Sequence, residues 1–306
     1  MILVQHELGA STAGSSQGPT AVLKDLQSRF PQFQKVKTES IMQGNAACDT
    51  PHAKNLTSSF QTMKAVRDAT AECLKNNRFP VVFSGDHSTA IGTMAGIKRA
   101  FPSAQMGVVW FDAHTDIHSP FTSHSSNLHG MPLSAATGQN NFSNQHQNLN
   151  DNEKLLWTQT QKLGGTVPMV ELKNVAFVGI RDVEIEEKKL VEASGCLLLS
   201  AETLQSTPAD QIFAKIRKHL ENCDVIYVSF DIDCLDQELV PGTGTPVSNG
   251  PDPEKILQII GDLSKWDRVV CFEMSEVNPT LDKDGKTSLL AAKIVHQMLS
   301  KNNYVT

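Results

Sequence analysis

The chain has 306 residues and a formal net charge of −6, so it offers no basic face for a nucleic-acid backbone. Hydrophobic residues make up 40% and charged residues 20%, the balance of a globular protein rather than a disordered or fibrous one. It has no run of eighteen apolar residues to span a membrane, and Met1-Ile2-Leu3-Val4-Gln5-His6-Glu7 turns polar too early for a signal peptide, which points to a cytoplasmic protein.

That opening stretch reads as a first strand. The Gly9–Pro19 segment after it is rich in glycine and small hydroxyl residues, but it lacks the Gly-Lys-Ser/Thr and Gly-x-Gly-x-x-Gly patterns of phosphate-binding loops. It reads instead as a turn into a helix from about Thr20 to Ser28. Residues 59–77 show helical spacing through Met63, Val66, Ala69 and Cys73. A strand at 80–84 runs into Gly85-Asp86-His87, and Ser88 is placed to cap a helix over 88–98.

The apolar run Met106–Trp110 predicts a buried strand, continued by Phe111-Asp112-Ala113-His114-Thr115-Asp116-Ile117-His118. Asp112, His114 and Asp116 occur at every second residue, and on an extended backbone such side chains share a face. From His118 to Lys162 there is little periodicity. Excursions of that length are unusual in a compact domain and tend to be functional or mobile. Its segment Ser125–Pro132 is close enough in sequence to line a cleft beside the carboxylates, and residues 134–165 are candidates for a lid.

Strand and helix then alternate again. A strand at 174–180 ends in Arg181-Asp182-Val183-Glu184-Ile185-Glu186-Glu187, and a short helix and a strand at 196–199 follow. Thr207 is the expected cap of a helix with Pro208 at its first position and an apolar stripe of Ile212, Phe213, Ile216 and Leu220. The strand 225–230 meets a second acidic cluster, Asp231-Ile232-Asp233-Cys234-Leu235-Asp236. Asp252-Pro253 opens a helix over 253–263, a strand at 269–272 ends at Glu273, and a last helix over 287–300 buries Leu290, Ile294 and Met298. The alternation predicts an α/β fold with a mostly parallel sheet between helices, as one domain over 1–306. Periodicity alone leaves a closed barrel as the alternative.

Six cysteines are scattered without a Cys-x-x-Cys pair, which argues against a structural zinc site. Cys196 and Cys271 lie in apolar runs and are core candidates. Cys234 stands beside the acidic cluster, where its place in the strand pattern points it away from Asp233.

A polar loop would explain one strand that stops at charged residues. Three such endings, at His87, at Asp112/His114/Asp116 and at Asp231/Asp233, need a common partner, because carboxylates are rarely buried unless paired. Four carboxylates and two imidazoles exceed what one cation requires and suit two ions about 3.5–4 Å apart, held by shared carboxylates. Oxygen and imidazole donors without thiolate admit manganese, iron, cobalt or zinc, and the oxygen majority favours manganese. Such a centre supplies hydroxide near neutral pH for attack on carbon or phosphorus, and the residues leave that choice open.

Gly85-Asp86-His87-Ser88, Asp112-Ala113-His114-Thr115-Asp116 and Ser229–Asp236 together resemble the signature segments of the ureohydrolases, the arginase and agmatinase family. The likeness extends to Gly242-Thr243-Gly244-Thr245-Pro246 and Glu276-Val277-Asn278-Pro279. It implies a three-layer α/β/α fold with an eight-stranded parallel sheet, two Mn2+ ions with a bridging hydroxide, and homotrimers or homohexamers. One ion is then expected on His87, Asp112, Asp116 and Asp231, the other on His114, Asp112, Asp231 and Asp233. By the same resemblance Glu276 orients the guanidinium, Asp116 partners the attacking hydroxide and His129 shuttles protons.

Within the family the sequence is most like arginase, which implies hydrolysis of L-arginine to L-ornithine and urea. Ser125 and Asn127 match residues that bind the substrate carboxylate, Glu187 matches a contact to its ammonium, and Thr245 belongs to the same site. Two positions depart from the arginase pattern: His118 replaces an asparagine and Glu184 an aspartate. Agmatinase, guanidinobutyrase and formimidoylglutamase are the alternatives with the same chemistry, although no arginine for a carboxylate-ended substrate lies between Asp112 and Lys154. A non-catalytic binding subunit is the alternative of another class, and the full ligand set opposes it.

Overall fold

In the computed structural model, which describes residues 1–47 and 49–300, the apolar runs form a single sheet. Its strands are β1 (Ile2–Gln5), β2 (Glu39–Met42), β3 (Val81–Ser84), β4 (Met106–Phe111), β5 (Val175–Ile180), β6 (Leu197–Ser200), β7 (Val225–Asp231) and β8 (Val269–Ser275). All eight lie in the order β2-β1-β3-β8-β7-β4-β5-β6. Every pairing is parallel. Strands β2 and β6 are free edges, so the sheet is open, not a barrel. Edge strand β2 has no apolar run to announce it: of its residues only Ile41 is buried.

Strand side chains alternate between two apolar layers, as the period of an extended chain requires. Val82, Val108, Trp110 and Tyr227 face one layer; Phe83, Val109, Phe111, Val228 and Phe230 face the other. Helices α1 (Gly18–Arg29), α2 (Leu56–Lys75), α3 (Ala90–Ala100), α4 (Pro132–Thr137), α5 (Asp151–Gln161), α6 (Ile185–Ser194), α7 (Ala201–Ser206), α8 (Ala209–His219), α9 (Pro253–Leu263) and α10 (Lys286–Leu299) cover both sides. Met63 and Val66 of α2, Ile91 and Met94 of α3 and Trp157 of α5 pack in the first layer. Val22 and Leu26 of α1, Ile212 and Ile216 of α8, Ile256 and Ile259 of α9 and Ile294 and Met298 of α10 pack in the second. The architecture is three-layered, α/β/α. No helix among the described residues is long and apolar enough to cross a membrane.

Local chemistry explains where expected boundaries moved. Ser88 does not cap α3: the Asp86 carboxylate accepts its N–H, and a 3-10 turn over His87–Thr89 precedes the helix. Pro208 lies just before α8 rather than at its first position, which leaves Thr207 outside as the C-cap of α7. Asp252 does cap α9, accepting from the Glu254 N–H with Pro253 behind it, an arrangement worth about 1 kcal/mol. The aperiodic excursion contains α4 and α5, the latter opened by a reciprocal Asn150–Glu153 capping box. Leu290, Cys73 and Cys196 are only half-buried, whereas Cys271 is fully enclosed. Cys48 lies outside the described residues.

Candidate metal centre and substrate cavity

Strands β3, β8, β7 and β4 are neighbours at the middle of the sheet, and being parallel they end on the same edge. Ligands of open α/β sheets gather at such carboxyl ends. The β3 end is tightly seated. A Cβ on Gly85 would lie 2.0 Å from the His6 carbonyl oxygen, so only glycine lets the loop lie against β1. Beside it Asp86 accepts from the Gly9 N–H at 2.8 Å and meets His6 Nδ1 at 2.9 Å, and His6 Nε2 reaches Ser59 Oγ at 3.0 Å. Burial opposes ionisation of Asp86, but His6 and Ser88 outweigh it and hold the carboxyl at about 2.

His87 is the hub of the first ligand group. Its Nδ1 lies 3.2 Å from one oxygen each of Asp112, Asp116 and Asp231. None of the three completes a hydrogen bond to this buried nitrogen. Oxygens spaced evenly around an unpartnered imidazole nitrogen are the arrangement of ligands around a shared cation. The second group centres on His114, whose Nδ1 is 3.3 Å from Asp112 Oδ1 and 3.2 Å from Asp233 Oδ2. Asp112 belongs to both, with one oxygen toward each histidine. Donor atoms of His87, Asp112 and Asp116, and of Asp112, His114 and Asp233, converge within 4.8 Å. The charges call for cations. Burial and the neighbouring Asp112 push Asp116 up to about 7. Burial, Asp233 and Asp112 raise Asp231 well above the carboxylate range. Divalent ions would relieve that repulsion, so the residues fit the binuclear centre.

Buried side chains aim these ligands. His87 Nε2 is 2.7 Å from Ser229 Oγ, which also accepts from Tyr227 OH at 3.1 Å. Tyr227 OH is 2.7 Å from Glu273 Oε2, and Ser84 Oγ donates to Glu273 Oε1 at 2.5 Å. Trp110 stacks on the His87 ring at 4.0 Å and donates Nε1–H to Asp112 Oδ2 at 3.0 Å. Arg181, at the end of β5, donates to the carbonyls of Asp233, Cys234 and Leu235 and to those of Val247 and Ser248, which clamps the turn carrying Asp233. Cys234 faces away from the ligands: its thiol donates to the Val178 carbonyl, and burial pushes its pKa up. Asp116 and Glu276, beside the ligands, hold left-handed backbones at φ 49° and 63°, which is costly for non-glycine residues.

Beside the ligands lies a cavity of about 210 Å³ bordered by His118, Ser125, His129, Glu184, Glu187 and Thr245. Gly130, in the segment expected to line the cleft, also borders it, and sequence reading missed Ser123 and Asp182, which do so too. Ser123 shares a loop with Ser125, and Asp182 lies 3.6 Å from His114 Nε2 at the end of β5, where sequence reading singles out only Glu184 and Glu187. Two expected residues stand off the lining. Asn127 Oδ1 accepts from Lys54 Nζ at 3.4 Å, and the buried Glu276 accepts the His87 N–H at 2.8 Å. Glu276 Oε1 is 3.3 Å from His129 Nδ1. Burial alone would lower the His129 pKa, but the Glu276 carboxylate outweighs it and raises it to about 9.

Glu184 and Glu187 open α6 as the two halves of a capping box. Glu187 Oε1 also accepts from the Ile117 N–H at 3.2 Å, tying α6 to the ligand loop. His118 Nε2 lies 3.1 Å from Glu184 Oε2, and its Nδ1 meets Thr122 Oγ1 at 3.1 Å. The two departures from the arginase pattern therefore touch: the longer carboxylate reaches the imidazole that replaces an amide.

A family model described as "Arginase family" matches residues 2–300. An arginase of Bacillus subtilis is 31% identical over 310 residues, spanning 96% of this chain and 95% of that protein. A crystal structure of Bacillus subtilis arginase superposes with a TM-score of 0.86 at 29% identity, covering 98% of each chain. Entamoeba histolytica arginase, solved in complex with L-ornithine, gives a TM-score of 0.84 at 28% identity over 97% of this chain and 96% of that one.

Proposed function

The chain belongs to the arginase family and is a metal-dependent hydrolase of guanidino compounds, and from that premise we propose that it converts L-arginine and water to L-ornithine and urea. The observation that carries this reading is the polar rim of the cavity, where Ser125, His118, Glu184 and Glu187 surround the space beside the ligands. A carboxylate and an ammonium on the substrate tail find donors and acids there, whereas agmatine would leave the donors to a carboxylate it lacks. The ornithine bound to the Entamoeba relative supports the same tail chemistry.

His87, Asp112, Asp116 and Asp231 would hold one ion and His114, Asp112, Asp231 and Asp233 the other, with manganese suited to this oxygen-rich set. When bound, the two cations supply a nucleophile deprotonated near neutral pH and stabilise developing charge. Everything else is done by side chains. Asp116 orients the attacking water, and the Glu276 carboxylate, seated against His129, gives the guanidinium its counter-charge. His129 engages Glu276 through Nδ1, which leaves Nε2 to protonate the departing amine as the Cζ–Nε bond breaks. At the tail, Ser125 and His118 donate to the carboxylate. The buried His118 Nε2 has no completed hydrogen bond of its own. Glu184 and Glu187 face the ammonium, Thr245 braces Asp233 through a 3.0 Å hydrogen bond, and Asn127 supports the loop of Ser125. The protein works in the cytoplasm as one catalytic domain per chain, assembled into homotrimers or homohexamers.

The test is kcat/KM for arginine, agmatine, guanidinobutyrate and formimidoylglutamate on one manganese-loaded sample. Arginine is expected to lead agmatine by tenfold or more, about 1.4 kcal/mol. A tenfold lead for agmatine refutes the assignment while leaving the hydrolytic chemistry in place.

A further inference from the structure

Outside the buried centre a second group of possible ligand side chains stands on the rim. His124 and His146 come from two places in the excursion after β4, and Glu186 comes from the first turn of α6. One donor atom from each lies within 4.8 Å of the other two. The imidazoles of His124 and His146 stack with centroids 4.4 Å apart and planes 15° from parallel, and His124 Nε2 is 3.7 Å from Glu186 Oε1. Donors on a tetrahedral ion with bonds of about 2.0–2.1 Å lie about 3.3–3.4 Å apart, so small side-chain movements close the group. The Glu186 carboxylate has a need of its own, since its Oε2 is buried without a hydrogen-bond partner.

We infer that His124, His146 and Glu186 form a rim site for a borderline divalent cation of the zinc class, separate from the buried binuclear centre. Two imidazoles and one carboxylate with an open fourth position suit zinc, whereas the oxygen-rich centre suits manganese. Hydrogen bonds to main-chain carbonyls already bring these segments together. Asn141 Nδ2 donates to the Glu186 carbonyl at 3.0 Å, and the His146 N–H donates to the Phe121 carbonyl at 3.1 Å. A bound ion therefore clips the excursion onto the start of α6, next to the Glu184 and Glu187 carboxylates that border the cavity. It also takes His124 Nε2 away from Glu184 Oε2, now 3.6 Å away.

The experiment titrates zinc into manganese-loaded protein against a chromophoric zinc chelator, measures manganese retained, and follows amide exchange over residues 139–148. The unaltered chain is expected to take one zinc per chain with its manganese kept and exchange in that segment slowed. In His146→Ala and Glu186→Gln the zinc affinity falls at least tenfold, the slowing vanishes and manganese is unaffected. Unchanged circular dichroism confirms that both variants fold. Equal zinc affinity in all three proteins, or zinc uptake only with equal loss of manganese, overturns the site. Since no substrate is used, failure here says nothing against arginine hydrolysis, and failure of arginine hydrolysis says nothing against the rim site.

Discussion

Asp112 turns one oxygen toward His87 and the other toward His114, so it ties the two groups together. Asp112→Asn, which keeps the volume but removes the negative charge and leaves one neutral oxygen donor, is expected to leave fewer than one manganese per chain after gel filtration. Retention of two ions would show that the groups are independent. Glu273 acts at one remove: through Tyr227 and Ser229 it fixes the ring of His87. Outer partners of this kind are commonly worth 10–100-fold in metal affinity. Glu273→Gln is therefore expected to weaken one manganese about tenfold and leave KM for substrate unchanged, because the residue does not border the cavity. The clustered donors His87, Asp112, His114, Asp116 and Asp233 were legible in the sequence because charge at the end of an apolar strand is chemically conspicuous. Trp110 and Tyr227 were not, since inside a strand they read as ordinary core residues until the neighbouring strands show what they touch, and Glu273 was read as a strand end although β8 runs on to Ser275. Arg181 escaped for another reason: its partners are backbone carbonyls, which leave no mark in sequence.

Elements were legible in proportion to their apolar periodicity. Strands β3, β4, β5 and β7 and helices α8 and α9 emerged nearly whole, whereas β2 and α5 did not, because one is an edge strand and the other a largely polar helix. What holds α5 in place is Glu153. Its fully buried carboxylate accepts from Asn150 N–H at 3.0 Å and His52 N–H at 2.8 Å. Burial would raise its pKa, but those bonds and the His52 ring outweigh burial and lower it from the usual 4.5. A lowered folded pKa stabilises the fold fully above the unfolded value, and the contribution disappears as pH falls through the folded one. In metal-free protein, Glu153→Gln is thus expected to cost about 1 kcal/mol at pH 7, with the gap to the unaltered chain closing below pH ~4.5. A gap that widens on acidification would contradict this. At the end of β3, Gly85→Ala drives a methyl into the His6 carbonyl, so it is expected to displace His87 and halve the bound manganese. Normal metal content in a folded Gly85→Ala protein would show that the seating is looser than the contact implies.

At the scale of the whole molecule, the open parallel sheet puts four consecutive strand ends, β3-β8-β7-β4, under one cavity. Alternation of strands and helices foretold the layers, but strand order and the choice of sheet over barrel lay beyond periodicity, because both depend on which strands pair across long stretches of chain. The order decides the chemistry, since residues as distant as His87 and Asp231 become neighbours only when β7 and β8 insert between β3 and β4. Whether those strand ends build one two-ion hydrolytic centre is read from the urea released from L-arginine as a function of manganese bound per chain, beginning from chelated protein. Turnover is expected to climb until about two ions are bound and to level there, with Asp112→Asn inactive throughout. Full turnover at one ion per chain, or no urea at two, would contradict such a centre.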